Sequence, residues 1–270
     1  MTKINHLLTI ITIVKNGAGT IERCVSSIVK QKTRQIEYIL IDGASTDGTK
    51  VVIESYIDDI DILMSETDHG ISDAMNKGIQ LASGHFILFV HADDYLEEGA
   101  ISTLLTYIAS DPIVQFIHCF GVNLYNSQNQ FITTSYSRIK LISRESSIHH
   151  AAVLMPRNLL LSLGGFDTKY RFAMDYDIFL KAYKKNQRFV NHMKVVANRT
   201  LAGVSYQNRR LAMKELVQIR SNYNSTQNVW FWYYYSLVKD ELGRILKKSS
   251  LGIRAYRFIW KKWNKKRSQT

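Results

Sequence analysis

Cysteine is nearly absent from this chain. The 270 residues hold two, Cys24 and Cys119, which form no C-x-x-C pair and are too few for a disulfide framework. That argues against a zinc cage or a stapled secreted scaffold and fits a reducing cytoplasm. Long apolar runs are missing too, since none reaches the roughly 18 residues of a membrane span. The nearest thing to a leader is the apolar stretch 7–14 after Lys3. It is short, is broken by Thr9 and Thr12 and runs into Lys15-Asn16, so it reads as a strand meeting a loop rather than a signal peptide. A glycine-rich phosphate loop of the P-loop type is also absent, and Gly17-Ala18-Gly19 is too little to suggest a dinucleotide fold. Internal repeats and low-complexity linkers are lacking.

Acidic residues are scarce in one place only. Residues 207–270 carry fifteen Lys and Arg against Glu215, Asp240 and Glu241, whereas residues 1–206 carry equal numbers of each sign. The net charge of +12 therefore belongs to the tail, and the body is neutral. With 46% hydrophobic residues the chain has ample material for one large core, or one domain with an appendage.

The first half alternates β-branched runs at 7–14, 36–41, 60–64 and 85–90 with helical spacing at 21–30, 49–56 and 72–82. This rhythm predicts an α/β fold with a mostly parallel, Rossmann-like sheet covered by helices on both faces. In such sheets ligands sit beyond the carboxyl ends of the strands. The residues found there are Lys15-Asn16-Gly17, then Asp42 to Thr49, then Glu66-Thr67-Asp68, then His91-Ala92-Asp93-Asp94. Four successive strand ends thus bring polar, carboxylate-rich chemistry to one edge. The plainer reading of Asp42 and Asp47 is turn-making and capping of the helix at Thr49. Further on, 151–155 reads as a strand, Gly164-Gly165 as a turn and 175–183 as a helix with acidic residues in its first turn.

Asp93-Asp94 directly follows an apolar strand. Adjacent carboxylates raise each other's proton affinity unless a cation lies between them and a further ligand, which suits a hard divalent ion shared with substrate phosphates. Capping of a helix near 96–99 is the alternative. Asp175 likewise has a second reading, as a helix N-cap. His149 and His150 either reach phosphate, metal or acceptor, or are structural, and the same choice holds for His91.

Taken in order, Ile10-Ile11-Thr12-Ile13-Val14-Lys15-Asn16, Ile41 to Thr49, Asp68 to Gly78, His91-Ala92-Asp93-Asp94, Gly164-Gly165-Phe166-Asp167, Met174-Asp175-Tyr176-Asp177 and Ala202-Gly203-Val204-Ser205 resemble family-2 glycosyltransferases of GT-A fold, over about residues 7–205. The resemblance implies an inverting transfer from a nucleotide diphosphate sugar, UDP-linked, to an acceptor hydroxyl in capsule, lipopolysaccharide or exopolysaccharide synthesis. It implies that Asp42 holds the base, with Thr12, Val14 and Asp68 in the same pocket. It places Asp93 and Asp94 at the ribose and the diphosphate-bound Mn2+ or Mg2+, Asp175 as the catalytic base, and Gly165, Phe166 and Asp167 as the acceptor loop. His91 stands where the family's metal motif has its first aspartate, which leaves open whether Asp93 or Asp94 ligates directly. The implied organisation is a catalytic domain over 1–205, with a nucleotide-sugar half to about 110 and an acceptor half over 111–205, followed by a helical basic and aromatic extension over 206–270.

If 251–265 is helical, Arg254, Arg257, Lys261 and Lys265 share an arc of about 80° opposite Ile253, Tyr256, Ile259, Trp260 and Trp263. That is the pattern of an interfacial helix on an anionic leaflet, with residues 229–238 as a second aromatic cluster. The expected location is the inner face of the cell membrane, near a lipid-linked or oligosaccharide acceptor, with no nucleic acid bound. A solvated helix packing its aromatics on the body is the alternative. Among other functions, a glycoside hydrolase needs no nucleotide pocket, and a sugar-1-phosphate nucleotidyltransferase wants a glycine-rich basic loop that Lys15-Asn16-Gly17 hardly supplies. A non-enzymatic nucleic-acid-binding protein would use the tail but leave the neutral body without a task.

Overall fold

A computed structural model describes residues 6–111, 113–143, 145–201, 203 and 208–223. The expected alternation is present: β1 (Leu8–Val14), α1 (Ile21–Val29), β2 (Ile36–Asp42), α2 (Thr49–Glu54), β3 (Ile62–Ser65), α3 (Ile71–Leu81) and β4 (Phe86–Phe89). Then come β5 (Tyr95–Leu96), α4 (Ala100–Ala109), β6 (Ile117–Tyr125), β7 (Phe131–Tyr136), β8 (Val153–Pro156), α5 (Arg157–Ser162), α6 (Met174–Lys184), β9 (Phe189–Thr200) and α7 (Arg209–Tyr223).

The described strands form one sheet in the order β3-β2-β1-β4-β8-β6-β9-β5, with β7 added to β6. β1 pairs in parallel with β2 and β4, and β2 with β3. β8 then runs antiparallel between β4 and β6, and β6 lies parallel to β9 along most of its length. β1, β2 and β4 are buried at every position, as strands covered on both faces must be. On one face Leu8, Ile10 and Val14 of β1 join Tyr38, Leu40, Phe86 and Leu88 under Cys24, Val25 and Ile28 of α1 and Leu104 of α4. On the other, α3 lies so close to β1 that a Cβ on Gly78 would fall 2.7 Å from Cγ2 of Ile11.

Between β4 and β8 the chain builds elements that the periodicity does not announce. β5, α4 and the β6–β7 hairpin occupy this stretch, and β9 extends the sheet beyond α6. The chain divides into compact units Met1–Leu216 and Val217–Thr270. Among the described residues no helix is long and apolar enough to cross a membrane. The proposed helix over 251–265, the aromatic cluster over 229–238, and Ala202, Val204 and Ser205 lie outside the described residues.

Candidate active site

The loops after β1 and β2 bind each other through side chains. Asn16, at φ +53°, accepts the Thr46 amide at 2.8 Å and donates its own amide to Ser45 Oγ at 2.8 Å. Asp47 accepts the Thr49 amide at 2.9 Å and the Ala18 amide at 3.2 Å, so its role is the turn ahead of α2. Asp42 is fully buried, and accepts the Ser65 hydroxyl at 2.6 Å and the Ser45 amide at 3.1 Å. Asp68 lies across Gly43 beside Lys15, leaving no room there for a side chain. Asp42, Asp68 and Lys15 therefore meet around one glycine. The Thr12 side chain is buried in the core, where its hydroxyl accepts from Tyr38 at 3.1 Å and lies 3.7 Å from Cys24 Sγ. Val14 also packs in the core. Both therefore border the strand edge with backbone, because successive strand side chains alternate between two covered faces.

Beyond β4 the chain turns through a bond from the Asp94 amide to the His91 carbonyl, 2.9 Å. Asp93 stays half-buried while Asp94 is 5% exposed. Burial, and next the neighbouring Asp93 charge, push the Asp94 carboxyl up to about 8, against the opposing pull of Arg199. Gly203 lies directly on Asp93, since a Cβ there would come 2.6 Å from its Oδ2. The helix-capping reading of the pair does not hold: 95–96 is strand, and α4 starts from Gly99 with no side-chain cap. Arg23 of α1 stacks over Tyr95 at 4.1 Å, donates to Asn129 at 2.8 Å, and its charge reaches Asp94.

Asp175 stands in the first turn of α6. It is not the N-cap, a position held by Ala173. Burial raises its proton affinity, the Arg199 charge opposes this, and Glu215 adds to it. Asp177 is tied to Lys181 at 2.7 Å and Asp167 to Lys169 at 2.6 Å. Of Asp167, Asp175 and Asp177, Asp175 alone has no lysine partner among the described residues. The loop ahead of α6 turns at Gly164 and Gly165, with φ of +82° and +68°, a region glycine enters without strain. Asn76 of α3 clamps it, accepting the Phe166 amide and donating to the Phe166 carbonyl, both at 2.8 Å. Ser72 donates to the Tyr170 carbonyl at 2.9 Å. Phe166 itself is buried against Phe89 and His150. Its ring supports the loop from the core side, and Asp167 is the more exposed side chain of the two.

The histidines are interior groups. His149 shares a 2.7 Å hydrogen bond with Ser135, and burial, with Arg199 and Arg138, brings it down to about 4. His150 packs among Phe89, Phe166 and Phe179, edge-on to His91 at 5.2 Å. Burial lowers the proton affinity of both His91 and His150, so each is neutral at pH 7. The Nε2 atoms of both lack hydrogen-bond partners among the described residues, an arrangement that normally costs stability. Positive charge at this edge comes instead from Arg23, which acts on Asp94, and from Arg199, near the end of β9, which acts on Asp94, Asp175, His91, His149 and His150. Sequence reasoning missed Arg199, Arg23 and the clamping role of Asn76. The one signal for Arg199 is that it lies three residues ahead of the Ala202-Gly203-Val204-Ser205 motif.

The donor set suits a hard cation. Two adjacent carboxyls are present, one with a strongly raised proton affinity. Among the described residues no group of three or more His, Cys, Asp or Glu closes around an ion. Such a pair leaves coordination positions for phosphate and water, as Mg2+-type sites do.

Residues 9–160 match the family model described as glycosyl transferase family 2. The chain is 27% identical over 194 residues to a PGL/p-HBAD biosynthesis glycosyltransferase of Mycobacterium bovis, covering 70% of this chain and 75% of that one. It is 30% identical over 207 residues to the hyaluronan synthase of Pasteurella multocida, covering 74% of this chain and 21% of the synthase. Its fold is similar to that of S. aureus TarS 1-349 in complex with UDP, with TM-score 0.61 and 20% identity over 79% of this chain and 65% of that one. It is also similar to the mannosyltransferase PcManGT of Pyrobaculum calidifontis in complex with GDP-Man and Mn2+, with TM-score 0.63 and 21% identity over 83% of this chain and 66% of that one. The chain thus spans just under two thirds of each of these two structures and about a fifth of the synthase.

Proposed function

Because the chain belongs to glycosyl transferase family 2, we propose that it moves a sugar from a uridine diphosphate sugar onto an acceptor hydroxyl, with inversion, during synthesis of a bacterial surface polysaccharide. The observation that carries this reading is that the carboxylate pair directly after β4 is met by Gly203 from more than a hundred residues along the chain, a Cβ there falling 2.6 Å from Asp93 Oδ2; the Arg199 charge, felt by both Asp94 and Asp175, is consistent with a common site. The complexes of similar fold with UDP and with GDP-Man and Mn2+ support a nucleotide sugar and a divalent ion.

In this mechanism Asp42 and Asp68 hold the nucleoside end, with the Thr12 and Val14 backbone beneath. Asp93 and Asp94 would hold Mn2+ or Mg2+, with Asp93 the more accessible of the two and the direct ligand. When bound, the ion offsets the charge that develops on the departing diphosphate. Asp175 takes the proton from the acceptor hydroxyl as the oxygen attacks the anomeric carbon from the face opposite the diphosphate, which gives inversion in one displacement. Gly165 and Asp167 border the acceptor, while the Arg199 charge opposes the rise in Asp175 proton affinity that burial causes. The acceptor in this reading is lipid-linked or an oligosaccharide, and the basic segment 206–270 holds the enzyme at the inner face of the membrane.

Asp93→Ala and Asp94→Ala should abolish transfer and remove the Mn2+-dependent rise in melting temperature with UDP. Asp175→Asn should keep that rise yet lower kcat by about 10² to 10⁴, the usual contribution of a general base. Full activity of the first two variants in chelator would remove the metal assignment, and near-normal turnover of the third would move the base elsewhere.

A further inference from the structure

The segment that delivers Asp175 is held from outside the part of the chain that matches the family model. Residues 171–173 precede α6: Ala173 is its N-cap, whose amide the helix leaves without an intrahelical partner, and the Arg171 and Phe172 amides lie ahead of the helix. Three consecutive amides nevertheless find one acceptor. Arg171 donates to Glu215 Oε1 at 2.9 Å, and Phe172 and Ala173 donate to Oε2 at 2.8 and 2.9 Å. Glu215 lies on α7, where its charged neighbours are Arg209, Arg210, Lys214 and Arg220. The sole acid of this basic helix is directed at the backbone two residues ahead of the candidate base.

We propose that Glu215 is a positioning residue for the transfer step: by gathering the amides of 171–173 it sets the place of Asp175, and so makes α7 part of the catalytic unit. The inference rests on Asp175 being the base. Three observations fit it. Asn76 and Ser72 already fix the same loop at Phe166 and Tyr170, so Glu215 completes the restraint at the end nearest the reacting group. Bonds from amides to a carboxylate are stronger than neutral ones, and a misplacement of about 1 Å at a reacting group costs on the order of 10²-fold in rate. The groups that face Asp175 are Arg199 from β9, Glu215 from α7 and the amide of Tyr176 in its own helix. Glu215 is the one whose charge favours the protonated form, which makes the ionised base more avid for a proton.

The test compares wild type, Glu215→Ala, Glu215→Gln, Asp175→Asn and the double variant Asp175→Asn/Glu215→Ala, all in the full chain. kcat, donor KM, the melting-temperature rise with UDP and Mn2+, and the pH dependence of kcat are measured for each. Glu215→Ala should lower kcat by about 10- to 100-fold with donor KM within about twofold, since a mutation that lowers kcat and leaves KM alone acts in the transition state. Glu215→Gln removes the charge and turns one of the two accepting oxygens into an NH2 donor, so it can keep the bonds from Phe172 and Ala173 while losing that from Arg171. It should move the acid limb of the kcat profile to lower pH, because Asp175 then loses its proton more easily. The double variant should be no slower than Asp175→Asn, because a residue acting through Asp175 has nothing left to position. Glu215→Ala with wild-type turnover, a loss of UDP binding in step with lowered melting temperature, or a further multiplicative loss in the double variant would each overturn the inference. If Glu215→Ala does not fold, the acid-limb shift of Glu215→Gln decides alone, and an unmoved limb overturns it. Normal turnover in Asp175→Asn would remove the base reading and this inference together. An inactive Asp175→Asn beside an unaffected Glu215→Ala would remove this inference only.

Discussion

At Asp94 burial and the neighbouring Asp93 charge act together, against the weaker pull of Arg199. Its carboxyl ionises near 3.8 without perturbation and near 8 in the fold, so the folded state holds the proton more tightly than the unfolded chain. By linkage, the resulting stabilisation is fully present below about pH 3.8 and is lost as pH rises through about 8. His149, His150 and His91 shift in the opposite sense, but above pH 7 they are neutral in both states. Buried Cys24 and Cys119, pushed up to about 12, add a slope of the same sign toward pH 9, so the difference between the wild type and Asp94→Asn from pH 7 to 8.5 is what reports Asp94. In chelator, the melting temperature of the wild type should fall across that interval, and Asp94→Asn, which resembles the protonated form, should flatten the slope. Mn2+ with UDP should raise the wild type most at pH 8.5, where the ionised pair most needs a cation. An equal slope in both proteins would show that the proton affinity of Asp94 is ordinary.

At the scale of elements, the site depends on how closely α3 approaches β1. Gly78 faces Ile11, and Ser72 and Asn76 on the same helix hold the loop at Tyr170 and Phe166. Replacing Gly78 by Ala improves helix propensity by up to about 1 kcal/mol. The new methyl, however, falls 2.7 Å from Ile11 Cγ2, and overpacking of this kind costs roughly 1–3 kcal/mol. The clash wins. Gly78→Ala should lower the melting temperature by several degrees and raise acceptor KM, because a displaced α3 carries both clamps with it. Gly19→Ala, where nothing lies within 4 Å of the added atom, serves as the control and should leave stability unchanged. A Gly78→Ala protein as stable as that control would mean that α3 and β1 adjust without loss.

For the whole molecule, the asymmetry of charge is the dominant feature: a neutral body to residue 206 and all of the excess beyond it. The membrane proposal rests on that distribution. At about 1 kcal/mol for each basic residue near an anionic surface, four such residues shift partitioning by roughly three decades. Changing Arg254, Arg257, Lys261 and Lys265 to Gln should therefore release the protein from anionic vesicles, and high salt should do the same to the wild type. Unchanged sedimentation together with an unchanged melting temperature would defeat the membrane reading. A truncation near Gln207 is a poorer test, since the first compact unit runs to Leu216 and Glu215 bonds the segment ahead of the proposed base.

Local pattern was enough to read the parallel half of the sheet, the strand-end positions of Asp42, Asp68, Asp93 and Asp94, the glycine turn at 164–165 and the acidic start of α6. These depend on side-chain alternation and turn chemistry, which operate over a few residues. The same pattern did not reveal β5, α4, the β6–β7 hairpin or β9, whose burial is set by partners far along the chain. It also left open whether Thr12 and Phe166 present side chain or backbone, because a residue's number along a strand or loop says nothing about which of two faces is open; both side chains are buried. Arg199 and Glu215 mark the limit most clearly. Glu215 meets Arg171, Phe172 and Ala173 across more than forty residues of chain, and no local rule links a lone acid in a basic helix to the amides of a distant loop. Which carboxylates line the strand ends was determined by sequence, and which charges surround them was decided by the packing of β9 and α7, since electrostatic contact follows distance in space and not order along the chain.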